Sequence, residues 1–287
     1  MVTDIMLDSR ARVAVMAALE EDIGSGDVTT RALVDPEVKA TGKILARQSC
    51  RVSGSTVAAA VMKHMEPGLS VEILVPDGQD VVTGGTILTL RGKAMSILTA
   101  ERTALNFMQR MCGIATLTAQ FVDAVSEFET LILDTRKTTP NLRVFEKYAV
   151  TCGGGTNHRF GLYDRVLMKD NHRKLWKGGD PDRLDLAVKA ARKAYPNVVV
   201  EVEVESIEEC KSALREKPEW IMLDNMDCDT MGACVALCKG ISQTEASGGI
   251  TLEKARAVAA TGVDAISLGC LTHSAGSIDL SLEWQVV

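Results

Sequence analysis

The chain has 287 residues, 46% hydrophobic and 24% charged, with a formal net charge of -6. That length suits one large α/β unit with a smaller partner and buries a core without disulfide staples. The acidic balance argues against nucleic acid or an anionic membrane as partner, and no apolar run approaches the roughly 18 residues of a membrane-spanning helix.

The first predicted element, residues 10–21, is an amphipathic helix. Charges interrupt its apolar residues, unlike the core of a signal peptide. The loop DIGSGDVTT follows. Short alternating or apolar runs come next, GKILARQS, SVEILVP and VVTGGTILTLRG, with the helical STVAAAVMKHM among them. Gly and Pro punctuate these runs, which predicts a small α+β sheet domain up to about residue 98. Apolar periodicity then predicts a long helix over residues 95–128, with Gly113 as a break.

Beyond it, strand and helix patterns alternate. LILDT, RVLMKD, VVVEVEV, WIMLDN, ISQTEAS and VDAISLG read as strands. VFEKYAV, LDLAVKAARKAYP, IEECKSALREK, MGACVALCKG and TLEKARAVAATG read as helices. ISQTEAS is more polar than a buried strand requires, so its edges stay open. Six strands separated by helices imply a parallel sheet. Sequential right-handed crossovers favour an incomplete TIM-like α/β barrel over an open doubly wound sheet. No G-x-G-x-x-G follows a first strand, which weakens a dinucleotide reading.

Eight cysteines are present without a C-x-x-C pair. Cys234 and Cys238 read as small apolar residues on a packed helix face and not as a metal or redox pair. Reduced thiols suit a cytoplasmic protein.

Residues 134–172 hold seven Arg or Lys against four Asp or Glu, a cationic island in an acidic chain. It reads as a pocket for a small, multiply anionic ligand, Arg gripping carboxylates and Lys phosphate. Polar residues also recur at the predicted strand ends: Asp134, Thr135, Arg136 and Lys137; Lys169, Asp170 and Asn171; Glu201, Glu203 and Glu205; Asp224 and Asn225; Glu245, Ser247, Gly248 and Gly249; Gly269 and Cys270. Barrel enzymes build their sites on this rim. Acids inside VVVEVEV need a cation, a metal or ligand hydroxyls, and a structural salt bridge to a barrel Lys meets that need too. Ser247-Gly248-Gly249 before a helix offers backbone N–H groups to a phosphate, or is a plain turn with Thr251 as helix cap. The run from Gly153 to Gly155 either presents His158 and Arg159 to a ligand or is a surface loop. His158 lacks a second His at zinc spacing, and His172 and His273 read as hydrogen-bonding or structural. No nucleophilic triad stands out. NHRKLWKGG is an unusual loop, and Trp176 is left without a role.

Together EDIGSGDVTT, ERTALN, GIAT, DTRKTTPNLR, KYAV, NHR, KDNH, EVEVES, LDN, EASGGIT and TGVDAISLGCLTHS resemble, over nearly the whole chain, the quinolinate phosphoribosyltransferase family. The resemblance implies an N-terminal α+β domain (residues 1–107) joined by the C-terminal tail (275–287), and a barrel domain (108–274). It implies a homodimer with shared active sites, and Mg²⁺-dependent transfer from 5-phosphoribosyl 1-diphosphate to quinolinate with decarboxylation. Arg102 from the neighbouring subunit, Arg136, His158, Arg159 and Lys169 would hold the quinolinate carboxylates. Lys137 would contact the donor diphosphate, and Glu203 and Asp224 the ribose hydroxyls, the metal arriving on the diphosphate near them. Thr135 would line the same pocket. Ser247, Gly248, Gly249, Leu268, Gly269 and Cys270 would surround the 5-phosphate. Glu201 is not chosen over Glu203. Arg143, Lys147 and Arg165 are expected on helix faces or a subunit interface. Two alternatives remain: a same-fold paralogue using another aromatic acid, and a non-catalytic metabolite-binding dimer.

Overall fold

The protein, in a computed structural model, is described over residues 5–178 and 180–286. Its residues form two compact units: Met1–Ala119 with Lys137–Gly155 and Cys270–Val287, and Gln120–Arg136 with Thr156–Gly269.

The first unit is built on an antiparallel sheet. Its strands are β1 (Lys39–Ala46), β3 (Ser70–Ile73), β5 (Thr86–Lys93) and β12 (Leu280–Val286), in the order β12-β1-β5-β3. The short strands β2 (Cys50–Arg51) and β4 (Asp80–Val81) pair beside it. Along β1, Ala40, Ile44 and Ala46 are buried and Lys39 and Lys43 exposed, the period-two pattern of a half-covered strand. The C-terminal strand β12 runs antiparallel to β1 from Ala46↔Leu280 to Ala40↔Val286. VVTGGTILTLRG divides into β4 and β5 because Gly84, at φ 81°, turns the chain between them. DIGSGDVTT contains a short helix, Val28–Leu33, whose Asp27 carboxylate accepts from the Thr30 N–H at 2.9 Å.

The long helix spans Ala94–Ala124 and is not broken at Gly113. Glycine serves close approach there: a Cβ on Gly113 would collide with the Gly276 carbonyl oxygen. The division expected after residue 107 falls inside this helix, and residues 137–155 pack with the first unit.

The second unit is a six-stranded parallel sheet: β6 (Leu131–Leu133), β7 (Val166–Met168), β8 (Val200–Val204), β9 (Trp220–Asp224), β10 (Gln243–Ser247) and β11 (Ala265–Ser267). Their order is β6-β11-β10-β9-β8-β7, an incomplete α/β barrel with β6 and β7 at its open edges. Helices Leu184–Ala194, Ile207–Leu214, Cys228–Cys238 and Leu252–Ala259 connect successive strands from β7 onward. Ser206 and Asp227 cap two of them by accepting from Glu209 and Thr230 N–H groups. Cys234 and Cys238 are both buried on helix Cys228–Cys238, as a packed face requires, and Cys238 Sγ lies 3.7 Å from Cys210 Sγ.

Candidate active site

Parallel register brings the polar strand ends to one edge of the barrel sheet. Ser247 pairs with Asp224, Ala246 with Ile266, Ser267 with Leu133, and Met168 with Val202. Thr135 and Arg136 follow β6, Lys169 follows β7, Glu201 and Glu203 lie on β8, Asp224 ends β9, Ser247 ends β10, and Leu268 and Gly269 follow β11. This is the C-terminal rim where barrels place their chemistry.

Two guanidiniums repel each other there. Burial, and then the charge of Arg136, hold the Arg159 pKa below its usual value. A pair of cations held together against repulsion is stabilised by an anion of matching shape. Lys169 Nζ lies 2.6 Å from Glu203 Oε2, so the expected salt bridge to a barrel Lys is present and made by two site residues. His172 Nδ1 accepts from the Lys169 N–H at 3.0 Å, a hydrogen-bonding role. Glu205, just beyond β8, is exposed.

Glu201 is fully buried, and it belongs to a second cluster. His158 Nε2 lies 3.2 Å from Glu201 Oε2 and 3.2 Å from Glu245 Oε2. Arg165 Nη1 lies 3.0 Å from Glu201 Oε2, and its guanidinium stands 5.4 Å from the Trp220 ring centroid. Arg165 is therefore neither on a helix face nor a solvated charge: it leads into β7 and neutralises Glu201. The His158 ring accepts at Nδ1 from the Arg159 N–H at 2.7 Å, and the His158 N–H donates to Asp134 Oδ1 at 2.9 Å. Burial opposes a charged imidazole, but the hydrogen-bonding carboxylates outweigh it and push His158 up to about 9. A second ring proton would meet the Arg159 N–H at Nδ1, and the 2.7 Å bond excludes it. We therefore place the titrating proton of the cluster on a carboxyl. Burial and the neighbouring Glu201 charge push Glu245 up; His158 and Arg165 overcome burial and hold Glu201 down. These three side chains could also ligate a cation among themselves, but Arg165 already supplies the positive charge.

At β10, Gly248 and Gly249 have φ of 98° and 57°. A Cβ on Gly248 would run into the Asn225 amide, whereas one on Gly249 would meet open space. Asn225, itself at φ 54°, donates from Nδ2 to Asp224 Oδ2 at 2.7 Å and from its backbone to Ser247 O at 2.9 Å. Asn225 thus joins the glycine turn to Asp224, while Thr251, at the N-cap position of helix Leu252–Ala259, makes no side-chain cap bond. In the first unit, Arg102 is exposed on the long helix, Lys137 is exposed with its carbonyl accepting from Thr272 Oγ1 at 2.8 Å, and Cys270 opens the short helix Cys270–His273.

The family descriptions "Quinolinate phosphoribosyl transferase, N-terminal domain" and "C-terminal domain" match residues 27–112 and 114–283. The chain belongs to the quinolinate phosphoribosyltransferase family. It is 41% identical to the nicotinate-nucleotide pyrophosphorylase [carboxylating] of Mycobacterium leprae, over 99% of this chain and 100% of that one. With a probable enzyme of the same name from Bacillus subtilis it shares 40% identity over 92% and 89% of the two chains. The solved nicotinate-nucleotide pyrophosphorylase of Francisella tularensis superposes with a TM-score of 0.90 at 39% identity, over 96% of each chain. NadC of Streptococcus pyogenes gives 0.92 at 37%, over 97% of each chain.

Within this quinolinate phosphoribosyltransferase family member, sequence reasoning placed Glu245 among the polar strand ends and Arg165 in the cationic island, but foresaw neither the contact of Glu245 with His158 nor that of Arg165 with Glu201. The signal was available in part: Glu245 sits in EASGG at strand period two from Ser247. Its partner Arg165, however, is distant in sequence. Lys147 is buried, not a surface helix charge, whereas Arg143 donates from Nε to Thr138 Oγ1 at 2.9 Å. Trp176 lines a cavity of about 360 Å³ with Arg159, Arg165, His172, Arg173 and Leu162. A side chain on Gly178 would run into its ring, which accounts for the glycine beside it.

Proposed function

We propose that the chain transfers the phosphoribosyl group of 5-phosphoribosyl 1-diphosphate to quinolinate, releasing diphosphate and carbon dioxide and giving nicotinate mononucleotide, a step of NAD synthesis. The observation that carries this reading is the gathering of the cations Arg136, Arg159 and Lys169 at the same rim as the acids Glu203 and Asp224. Two carboxylates on the acceptor match the cations, and developing positive charge on a sugar matches the acids. The names of its relatives agree with it.

Arg136, Arg159 and Lys169, with Arg102 from a second subunit of a homodimer, grip the two carboxylates and align the ring nitrogen with the sugar's anomeric carbon. Alignment matters more than activation, because a pyridine nitrogen needs no base to expose its lone pair. The anomeric C–O bond breaks with its electron pair leaving on diphosphate, and the nitrogen lone pair forms the new C–N bond. Glu203 and Asp224 face the ribose hydroxyls and stabilise the cationic sugar, and Lys137 draws the diphosphate away. Ser247, Gly248, Gly249 and Gly269 hold the 5-phosphate with backbone N–H groups. The nitrogen is then positively charged and accepts electron density, so the bond to the adjacent carboxylate breaks, carbon dioxide leaves, and the carbon takes a proton from solvent. No covalent bond to the enzyme forms.

The hard carboxylate oxygens of Glu203 and Asp224 would suit Mg²⁺ brought in with the donor, which would supply positive charge for the leaving diphosphate. All eight cysteines are free, which fits a reducing cytoplasm, and no helix among the described residues is long and apolar enough to cross a membrane.

The experiment is incubation with quinolinate, donor and Mg²⁺, measuring nicotinate mononucleotide. Product with nicotinate but not quinolinate would assign a paralogous acid specificity. No product with either acid would remove the catalytic reading.

A further inference from the structure

The buried cluster of His158, Arg165, Glu201 and Glu245 adjoins Arg159 of the proposed dicarboxylate pocket, and the reaction as drawn uses none of the four. Glu201 and Glu245 come from β8 and β10, the two strands flanking β9. Alternate strands supply one layer of side chains to a barrel interior, a layer normally filled by branched aliphatic residues. Here the layer holds two carboxyls, both fully buried, whose Oε2 atoms lie within 4.8 Å of each other. Two such groups cannot both be ionised in a dry site unless two cations meet them. Among the described residues Arg165 does so, aligned on Glu201, while His158 faces both carboxyls with its Nδ1 accepting from the Arg159 N–H.

Glu245 has different surroundings. His158 Nε2 lies 3.2 Å from its Oε2 and Ser267 faces it, but neither oxygen makes a well-aligned hydrogen bond. Its ladder neighbours are Met222 on β9 and Ala265 on β11. The polar and charged groups facing it are Glu201 from β8, His158 and Arg165 from the segment before β7, and Ser267 from β11. An ionised carboxylate without donors is among the costliest groups to bury, whereas a neutral carboxyl is tolerated.

The cluster is linked to the substrate side through His158. The ring is held by carboxyls at Nε2 and by the Arg159 N–H at Nδ1, so moving the ring moves the Arg159 peptide. The Arg165 carbonyl, on the residue whose head group neutralises Glu201, accepts from Arg159 Nη1 at 3.1 Å. Both ends of Arg159 are therefore set from behind by this cluster.

We propose that Glu245 is held as a neutral carboxyl and Glu201 as a carboxylate, and that this buried acid pair positions His158 and, through it, the Arg159 guanidinium that grips the dicarboxylate. His158 is thereby a positioning residue: its Nδ1 accepts from the Arg159 N–H and its Nε2 lies 3.2 Å from each carboxyl. The inference rests on the site reading above for what Arg159 binds.

Three chains separate the outcomes: wild type, Glu245→Gln and Glu245→Ala. The amide of Glu245→Gln has the shape and charge of a neutral carboxyl, so the KM for quinolinate near neutral pH should stay within about twofold of wild type. Glu245→Ala should raise that KM by about tenfold or more, with a smaller fall in kcat and an unchanged KM for the donor. The sign of the pH effect follows from a carboxyl whose folded-state pKa is raised. Its protonated form is the native one, so stability is lost as pH rises through the folded pKa. Wild type should therefore show an alkaline rise in KM and an alkaline fall in melting temperature, and Glu245→Gln should flatten both.

A Glu245→Gln chain that fails to fold, or that is as impaired as Glu245→Ala, would overturn the proposal, because the amide then does not replace the native species. So would one equivalent of zinc or manganese stabilising wild type but not Glu245→Gln, which would make the cluster a metal site. The melting comparison needs no substrate. If wild type makes no nicotinate mononucleotide, the functional reading fails while the neutral acid pair is still decided by the pH dependence of melting.

Discussion

The Lys169 ammonium lies 2.6 Å from the Glu203 carboxylate, joining the cation assigned to the acceptor acid and the acid assigned to the donor sugar. Lys169 is nearly half exposed, so the pair adds little to stability, and its value is to catalysis. Each residue holds the other in its working orientation. Lys169→Ala should raise the KM for quinolinate about 10- to 100-fold, and Glu203→Gln should lower kcat by a comparable factor. The double variant should lose less than the product of the two. Additive losses in steady-state kinetics would mean that the residues work independently.

Arg136 and Arg159 should respond differently to charge and to shape. Replacing either by Ala removes one grip on the dicarboxylate and should raise the KM for quinolinate or abolish turnover. Arg159→Lys keeps the charge but loses the planar fork, and should recover only part of the affinity. The KM for the donor is the control and should stay near wild type. Near-normal kinetics for both Arg136→Ala and Lys169→Ala would remove the pocket assignment.

The rim was legible where an apolar strand runs into polar residues, as in β6, β7 and β9. Lys169, Asp224 and Ser247 could be placed from strand pattern alone, before any partner was known. The cluster behind them was not, since His158, Arg165, Glu201 and Glu245 meet only once β8 and β10 flank β9. Local patterning shows that Glu201 is buried but not what neutralises it. Gly113 misled for a related reason. Glycine inside an apolar helix reads as a break, but its cause is the Gly276 carbonyl, remote in sequence. The helix over residues 143–152 was read correctly, while its packing with the first unit depends on contacts that no local pattern encodes.

In the first unit, Glu146 is fully buried and accepts from Arg110 Nη2 at 2.8 Å, Thr139 N at 3.0 Å and Thr139 Oγ1 at 2.8 Å. Arg110 also donates to the carbonyls of Ala275 and Thr272. One ion pair therefore ties the long helix, the Thr139 turn, helix Arg143–Cys152 and the segment before β12. Glu146→Ala leaves the guanidinium only a quarter exposed and without its counter-charge, and should cost about 3 kcal/mol. Thermal denaturation should show a drop of several degrees, with a smaller one for Glu146→Gln. An unchanged melting temperature for Glu146→Ala would mean that the pair contributes nothing net.

Gly248 and Gly249 separate two reasons for glycine at the turn proposed to hold the 5-phosphate. At Gly248, φ is 98° and a Cβ would strike the Asn225 side chain, whose Nδ2 donates to Asp224. Gly248→Ala should therefore do more than strain the backbone: it displaces Asn225 and with it the Asp224 carboxylate. The KM for the donor should rise about tenfold and kcat should fall, while the KM for quinolinate changes little. At Gly249, φ is 57° and the space for a side chain is open, so the only cost is left-handed backbone, about 1–2 kcal/mol for most residues and less for Asn. Gly249→Asn should retain most activity where Gly249→Val does not. If Gly248→Ala and Gly249→Ala are equally mild in donor kinetics, Asn225 does not couple the phosphate turn to Asp224.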